Sequence, residues 1–74
     1  MKSNDRVTRA VKEYLQNYAT TLHITPEKMA DLIGFEQYNY KKLMDGQVIL
    51  PAWQLIQIKE SLGITFEDLL GGKR

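Results

Sequence analysis

Apolar residues recur along this chain at intervals of three and four, the spacing that gathers side chains on one face of a helix. Val7, Val11, Leu15, Tyr18 and Leu22 form the first stripe. Ser3, Asn4 and Asp5 offer N-cap side chains ahead of it, so the pattern predicts a helix over about residues 5–22, with Arg6, Arg9, Lys12 and Glu13 solvated. The stripe breaks at Leu22-His23-Ile24. Thr25-Pro26 then places a hydroxyl cap before a residue with no amide hydrogen to lose, which opens a second helix over 26–33 with Met29, Ala30 and Ile33 inward. Gly34 ends that helix and Phe35 plugs the corner. A third helix is predicted over 36–45, with Tyr40, Leu43 and Met44 pointing to the core and Gly46 as a left-handed stop.

Past Gly46 the alternation is lost. Gln47-Val48-Ile49-Leu50-Pro51 is a loop whose three consecutive apolar residues are either tucked against the domain or covered by another molecule. Pro51 starts a fourth helix over 52–62, in which Trp53, Leu55, Ile56, Ile58 and Leu62 supply the apolar positions and Gly63 the stop. Ile64 reads as core. Thr65 and Asp68 are spaced as a capping box with Asp in place of Glu, opening a short last helix over 66–70 that carries Leu69 and Leu70. The final residues, Gly71 to Arg74, read as a flexible tail.

One part of this pattern points to a function. Two short amphipathic segments are separated only by Gly34-Phe35, too close for anything but a tight helical corner. Met29, Ala30, Ile33, Phe35, Tyr40 and Leu43 fall where a helix-turn-helix needs apolar side chains, and Gly34 falls where its turn needs positive φ. Gln37, Tyr38, Lys41 and Lys42 are left on the outward surface, with Asn39 at its edge. If any helix of this chain reads DNA, it is the third.

Composition narrows the classes. A chain of 74 residues, 43% of them apolar, makes one small all-α domain over residues 1–74 with a modest core. Its net charge is only +1, so any contact with nucleic acid rests on local placement rather than on bulk basicity. There is no cysteine, which excludes disulfides, thiolate nucleophiles and thiolate-ligated metals. No apolar run approaches the roughly 18 residues of a membrane span, and no signal-peptide core opens the sequence, so a cytoplasmic protein is expected. The single His23 has no cysteine or convincing carboxylate beside it. Glu27 and Asp31 lie one turn apart without further ligands, and no Gly-rich phosphate loop or nucleophile elbow occurs. No catalysis, cofactor, metal or small-molecule ligand is expected.

With the elements placed, residues from Ile24 to Leu70 resemble the Cro/repressor-type (XRE-like) helix-turn-helix family of phage and bacterial transcriptional regulators. The resemblance is carried by Thr25, Met29-Ala30, Gly34, Gly46, Pro51, Leu62-Gly63-Ile64 and Glu67-Asp68-Leu69-Leu70, which stand in the family's register without a gap. It implies a five-helix, lambda-repressor-like domain around a central helix-turn-helix. It also implies a sequence-specific regulator, most often a repressor, that binds a palindromic double-stranded DNA operator as a homodimer with helix 36–45 in the major groove.

Position by position, Gln37, Tyr38 and Lys42 match the family's base-reading sites. Their chemistry suits the role: a Gln amide bonds adenine N6/N7 in two places, Lys donates to guanine O6/N7, and a Tyr ring meets a thymine methyl or the sugar-phosphate edge. Thr25, Lys28, Asn39, Lys41 and Gln47 fall at backbone-contacting or flanking positions. For Lys41-Lys42 the alternative is an ordinary solvated pair. The loop Val48-Ile49-Leu50, with helix four or five, is the dimer surface that the resemblance suggests.

The chain also departs from its relatives. Pro26 stands where a phosphate-contacting Gln is usual, and Glu36 where a small hydroxyl residue is common, so that its carboxylate either lies near phosphate or serves the helix N-terminus. The usually basic loop after Gly46 is apolar, and Ala19 and Met44 replace a buried Arg–Glu pair together, an exchange that strands no charge. These losses lower the expected non-specific DNA affinity. They also motivate a competing expectation, a helix-turn-helix fold used to bind protein.

Overall fold

The same pair of backbone hydrogen bonds closes four helices of this molecule. The structure, a computed structural model, describes residues 3–70. Its elements are α1 (Ser3–Leu22), α2 (Pro26–Leu32), α3 (Gln37–Met44), α4 (Ala52–Leu62) and α5 (Phe66–Leu69), with no strand among the described residues. After α1, the His23 amide donates to Thr20 O at 3.3 Å and the Ile24 amide to Ala19 O at 2.8 Å. After α2, Gly34 donates to Asp31 O at 3.2 Å and Phe35 to Ala30 O at 2.8 Å. The pattern repeats at Gly46-Gln47 and Gly63-Ile64, and each first residue is left-handed, with φ of 57° at His23, 74° at Gly34, 76° at Gly46 and 66° at Gly63. This is the Schellman ending, which satisfies carbonyls that the helix leaves open. Sequence spacing identifies the glycines; it places His23 in a surface connection and misses its backbone role.

Helix starts follow the expected chemistry in part. Thr25 Oγ1 accepts the Lys28 amide at 3.2 Å. Thr65 and Asp68 form the reciprocal capping box, with Thr65 Oγ1 accepting the Asp68 amide at 3.1 Å and Asp68 Oδ2 the Thr65 amide at 3.4 Å. α1 already includes Ser3, so it starts before the expected residue 5; the capping roles considered for Ser3, Asn4 and Asp5, and the tail from Gly71, lie outside what the structure describes. Ile33, Glu36 and Asp45 act as caps, which makes α2 and α3 slightly shorter than their apolar patterns.

One core joins all five helices: Val11 and Leu15 of α1, Met29 and Ala30 of α2 with Ile33 at its C-cap, Tyr40 and Leu43 of α3, Ile58 of α4, Leu69 of α5, and Leu50 from the α3–α4 loop. Met44 and Phe35 pack partly buried against it. Leu50 is anchored by its backbone as well, because its amide donates to the buried Thr8 hydroxyl at 2.9 Å. The three apolar loop residues therefore divide: Leu50 is tucked in, Val48 is half-buried and Ile49 is exposed.

Three expectations about the stripes need correcting. Leu22 is exposed, because it is the last residue of α1 before the chain turns at His23. Trp53 is 63% exposed and Ile56 44%. Only Leu55, Ile58 and Leu62, at intervals of three and four, lie on the inward side of α4, and Trp53 and Ile56 fall off that stripe. Leu70 also points outward where Leu69 is fully buried.

Candidate nucleic-acid interface

The corner between α2 and α3 is held from both sides. Gly34 takes φ 74°, a conformation that a side chain opposes. A Cβ there would lie 3.0 Å from Nε2 of Gln57, which comes from α4. That amide donates to Ile33 O at 2.9 Å and to Gly34 O at 3.1 Å, so α4 holds the two carbonyls around which the chain reverses. Sequence reasoning misses Gln57. Its neighbours Ile56 and Ile58 stand out as apolar positions, and nothing local marks a Gln as a clamp on a distant turn.

From this corner α3 runs outward. Tyr40 and Leu43 fix it to the core, and burial pushes the Tyr40 phenol above its ordinary pKa. Glu36 occupies the N-cap in an extended conformation but makes no side-chain capping bond, so of its two expected options the carboxylate offers the helix end only its charge. Gln37, Tyr38, Asn39 and Lys41 are exposed, and Lys42 is half-buried. The Lys42 ammonium sits 4.8 Å from the centroid of the Tyr38 ring. Lys41 instead pairs with Asp45 across one turn at 3.3 Å, an exposed pair of little energetic weight.

The residues expected to flank that surface lie on α2 and at the end of α3. Thr25 caps α2 with its hydroxyl already engaged, Lys28 projects from α2, and Gln47 is exposed at the end of α3, its amide donating to Lys42 O at 3.0 Å. A shallow groove of about 460 Å³ separates the start of α2 from α3, lined by Pro26, Glu27, Gln37, Tyr38, Lys41 and Met44 among others. This side thus mixes Lys41 and Lys42 with Glu27, Glu36 and Asp45, while Lys28 lines a separate hollow with Ile24, Asp31 and Leu32. Such a face is nearly neutral in sum and offers a phosphate backbone little general attraction.

The loop expected to pair two chains is corrected in one residue. Leu50 has no side-chain surface to offer, since it is buried in the core of its own chain. Ile49, 51% exposed, is followed by Trp53 and Ile56, which stand one turn apart on α4, so the exposed apolar surface continues into that helix.

A second groove, of about 990 Å³, lies elsewhere, between α1 and α5. Tyr14 and Tyr18 lie in it with Glu13, Glu67 and Asp68, and among the described residues no Lys or Arg lines it, the wrong charge for a phosphate backbone. Burial first, and then the Asp68 carboxylate and Tyr18, raise the Tyr14 phenol above its ordinary value. Among the described residues no group of His, Asp or Glu is placed to hold a metal ion, and no helix is long and apolar enough to cross a membrane.

Comparison with known proteins gives a limited but consistent result. No protein-family model and no solved structure matches the chain. Over 61 residues it is 33% identical to the cryptic phage CTXphi transcriptional repressor RstR of Vibrio cholerae. The matched stretch is 82% of this chain and 54% of that protein, so the chain spans about half the length of the curated relative it matches. Across four-fifths of its own length, then, this five-helix chain is similar to a phage transcriptional repressor.

Proposed function

We propose that this protein is a sequence-specific DNA-binding transcriptional regulator, a repressor in the manner of its relative, which inserts α3 into the major groove of a palindromic operator. The observation that carries the reading is the row Gln37, Tyr38 and Lys42, which projects from a helix whose inner face is fixed by Tyr40 and Leu43 and whose entry is clamped by Gln57. A rigid helix with adaptable donors and acceptors on its open side is what base readout requires. Gln37 bonds adenine, Lys42 bonds guanine, and Lys28, Asn39, Lys41 and Gln47 flank them toward the backbone, Lys41 by exchanging Asp45 for a phosphate. Thr25 contributes through its cap on α2. The working location is the bacterial cytoplasm, where operator DNA lies.

The regulator acts as a homodimer, because two-fold operators pair with two-fold proteins whose reading helices are about 34 Å apart. The surface that supports pairing is Ile49 with Trp53 and Ile56, in place of the loop trio with Leu50. Sedimentation at rising concentration is expected to show a dimer that Trp53→Asp abolishes; a parent protein that stays monomeric at high concentration overturns the pairing.

Selection of binding sites from random duplex DNA tests the main reading. It should enrich one short motif, bound with a clear salt dependence, and Lys42→Ala should weaken that binding by about tenfold and relax one base position. Failure to enrich any motif overturns DNA recognition. The second reading, a helix-turn-helix fold that binds protein, is favoured by the acidic residues Glu27, Glu36 and Asp45 beside α3 and by the exposed Trp53. It predicts a co-purified protein partner lost in Trp53→Asp and no DNA motif.

A further inference from the structure

On the outward face of α3 the two lysines are not equivalent. Lys41 reaches along the helix to Asp45 at 3.3 Å, with its own side chain 76% exposed. Lys42 folds back over the ring of Tyr38, four residues earlier, with its ammonium 4.8 Å from the ring centroid, and is half-buried although it stands on an open surface. Tyr38 itself is 65% exposed and is not part of the buried core. Its ring lies beside the groove lined by Pro26, Glu27 and Met44 and carries the Lys42 cation above it.

We infer that Tyr38 and Lys42 form a single reading unit, in which the Tyr38 ring positions the Lys42 ammonium over one base pair and so determines specificity at that pair. The inference rests on the proposed DNA recognition and deepens it. A free lysine has many rotamers and donates to any acceptor nearby, phosphate included, and therefore discriminates poorly. A lysine whose methylenes lie along an aromatic face keeps its charge in one place. Held there, its ammonium meets guanine O6 and N7 and is kept from wandering to the backbone. Tyr38 is then a positioning residue, and its ring rather than its hydroxyl is what matters. Lys41, tied to Asp45, carries no such preference. Recognition at this point of the half-site is for a G·C pair, with the ring edge lying toward the neighbouring base.

Two measurements on the full chain test this. The first needs no DNA: in the NMR spectrum the Lys42 ε-methylene protons should be shifted upfield by the ring current, a shift kept in Tyr38→Phe and lost in Tyr38→Leu. Resonances in the parent protein that match those of Lys41 overturn the inference. The second compares site selection for the parent, Tyr38→Phe, Tyr38→Leu, Lys42→Ala and the double variant Tyr38→Leu/Lys42→Ala. Tyr38→Phe should select the parental motif, while Tyr38→Leu and Lys42→Ala should relax the same base pair, each by about tenfold, with the double variant no worse than Lys42→Ala. Loss at different base pairs, or losses that multiply, overturns the pairing while leaving DNA recognition intact. If the parent enriches no motif, the proposed function falls and this inference with it, whatever the spectrum shows.

Discussion

The α2–α3 corner and α4 are built from similar proportions of apolar residues and are used in opposite ways. At the corner most apolar side chains are committed: Met29, Ala30, Ile33, Tyr40 and Leu43 are buried, Phe35 packs against them, and the turn carbonyls are hydrogen-bonded, with Leu32 and Tyr38 left exposed. On α4 a single residue, Ile58, is fully buried, while Trp53 and Ile56 face outward. The difference separates two reasons for an apolar residue to exist. Those at the corner specify the fold, and those on the outer side of α4 are surplus to it. Exposed apolar side chains that cluster in this way are candidates for an interaction surface.

The sharpest way to break this contrast is truncation on both sides. Leu43→Ala removes a fully buried side chain where every neighbour is fixed, and should cost about 2–5 kcal/mol, a large share of the stability of a domain this small. Trp53→Ala removes a bigger side chain and should change the stability of the monomer by no more than about 0.5 kcal/mol. Urea unfolding of both variants at low protein concentration reads the comparison directly. A Trp53→Ala loss as large as that of Leu43→Ala would mean that α4 belongs to the core after all. A Trp53→Ala loss that grows with protein concentration would instead point to pairing through this helix.

The contrast also explains what could be read from the sequence. At the corner each requirement is local: a hydroxyl before Pro26, a small residue at Ala30, a left-handed position at Gly34, apolar positions at fixed spacing. A residue type satisfies each one, so the string itself displays the motif. On α4 the spacing fits more than one stripe, and whether Trp53 belongs to the inner one depends on where α1, α2 and the loop happen to lie. Leu50 shows the same limit in reverse, as its burial is decided by Thr8, far away in α1. The base-reading candidates were legible only as outward positions. That Lys41 and Lys42 take different partners, Asp45 and Tyr38, depends on side-chain rotamers that no periodicity records.

A smaller effect measures how firmly α4 holds the corner. Gly34 and Gly46 share nearly the same φ, yet a Cβ on Gly34 would press on Gln57 Nε2, whereas one on Gly46 meets nothing within 4 Å. Both Ala substitutions suffer the left-handed strain, about 1–2 kcal/mol. Gly34→Ala should cost about 1 kcal/mol more, the worth of the hydrogen bonds that Gln57 gives up when it moves aside. The excess should vanish in a Gln57→Leu background. Equal costs for the two glycines in the parent protein would show that the amide of Gln57 contributes nothing to the corner.

The smallest expected change has the opposite sign. His23 ends α1 with the same pair of hydrogen bonds as Gly34 at the corner, but it holds φ 57° with a side chain that is exposed and, among the hydrogen bonds of the described residues, makes none. His tolerates this conformation better than a β-branched residue does, and still bears a strain that glycine avoids. Glycine brings a greater entropy loss on folding, about 0.5–1 kcal/mol, against a strain relief of about 1–2 kcal/mol. Relief outweighs the entropy loss, so His23→Gly should stabilise the protein by up to about 1.5 kcal/mol, visible as a rise in the urea midpoint with an unchanged slope. A fall in the midpoint would mean that the His23 side chain makes a stabilising contact that its exposure conceals.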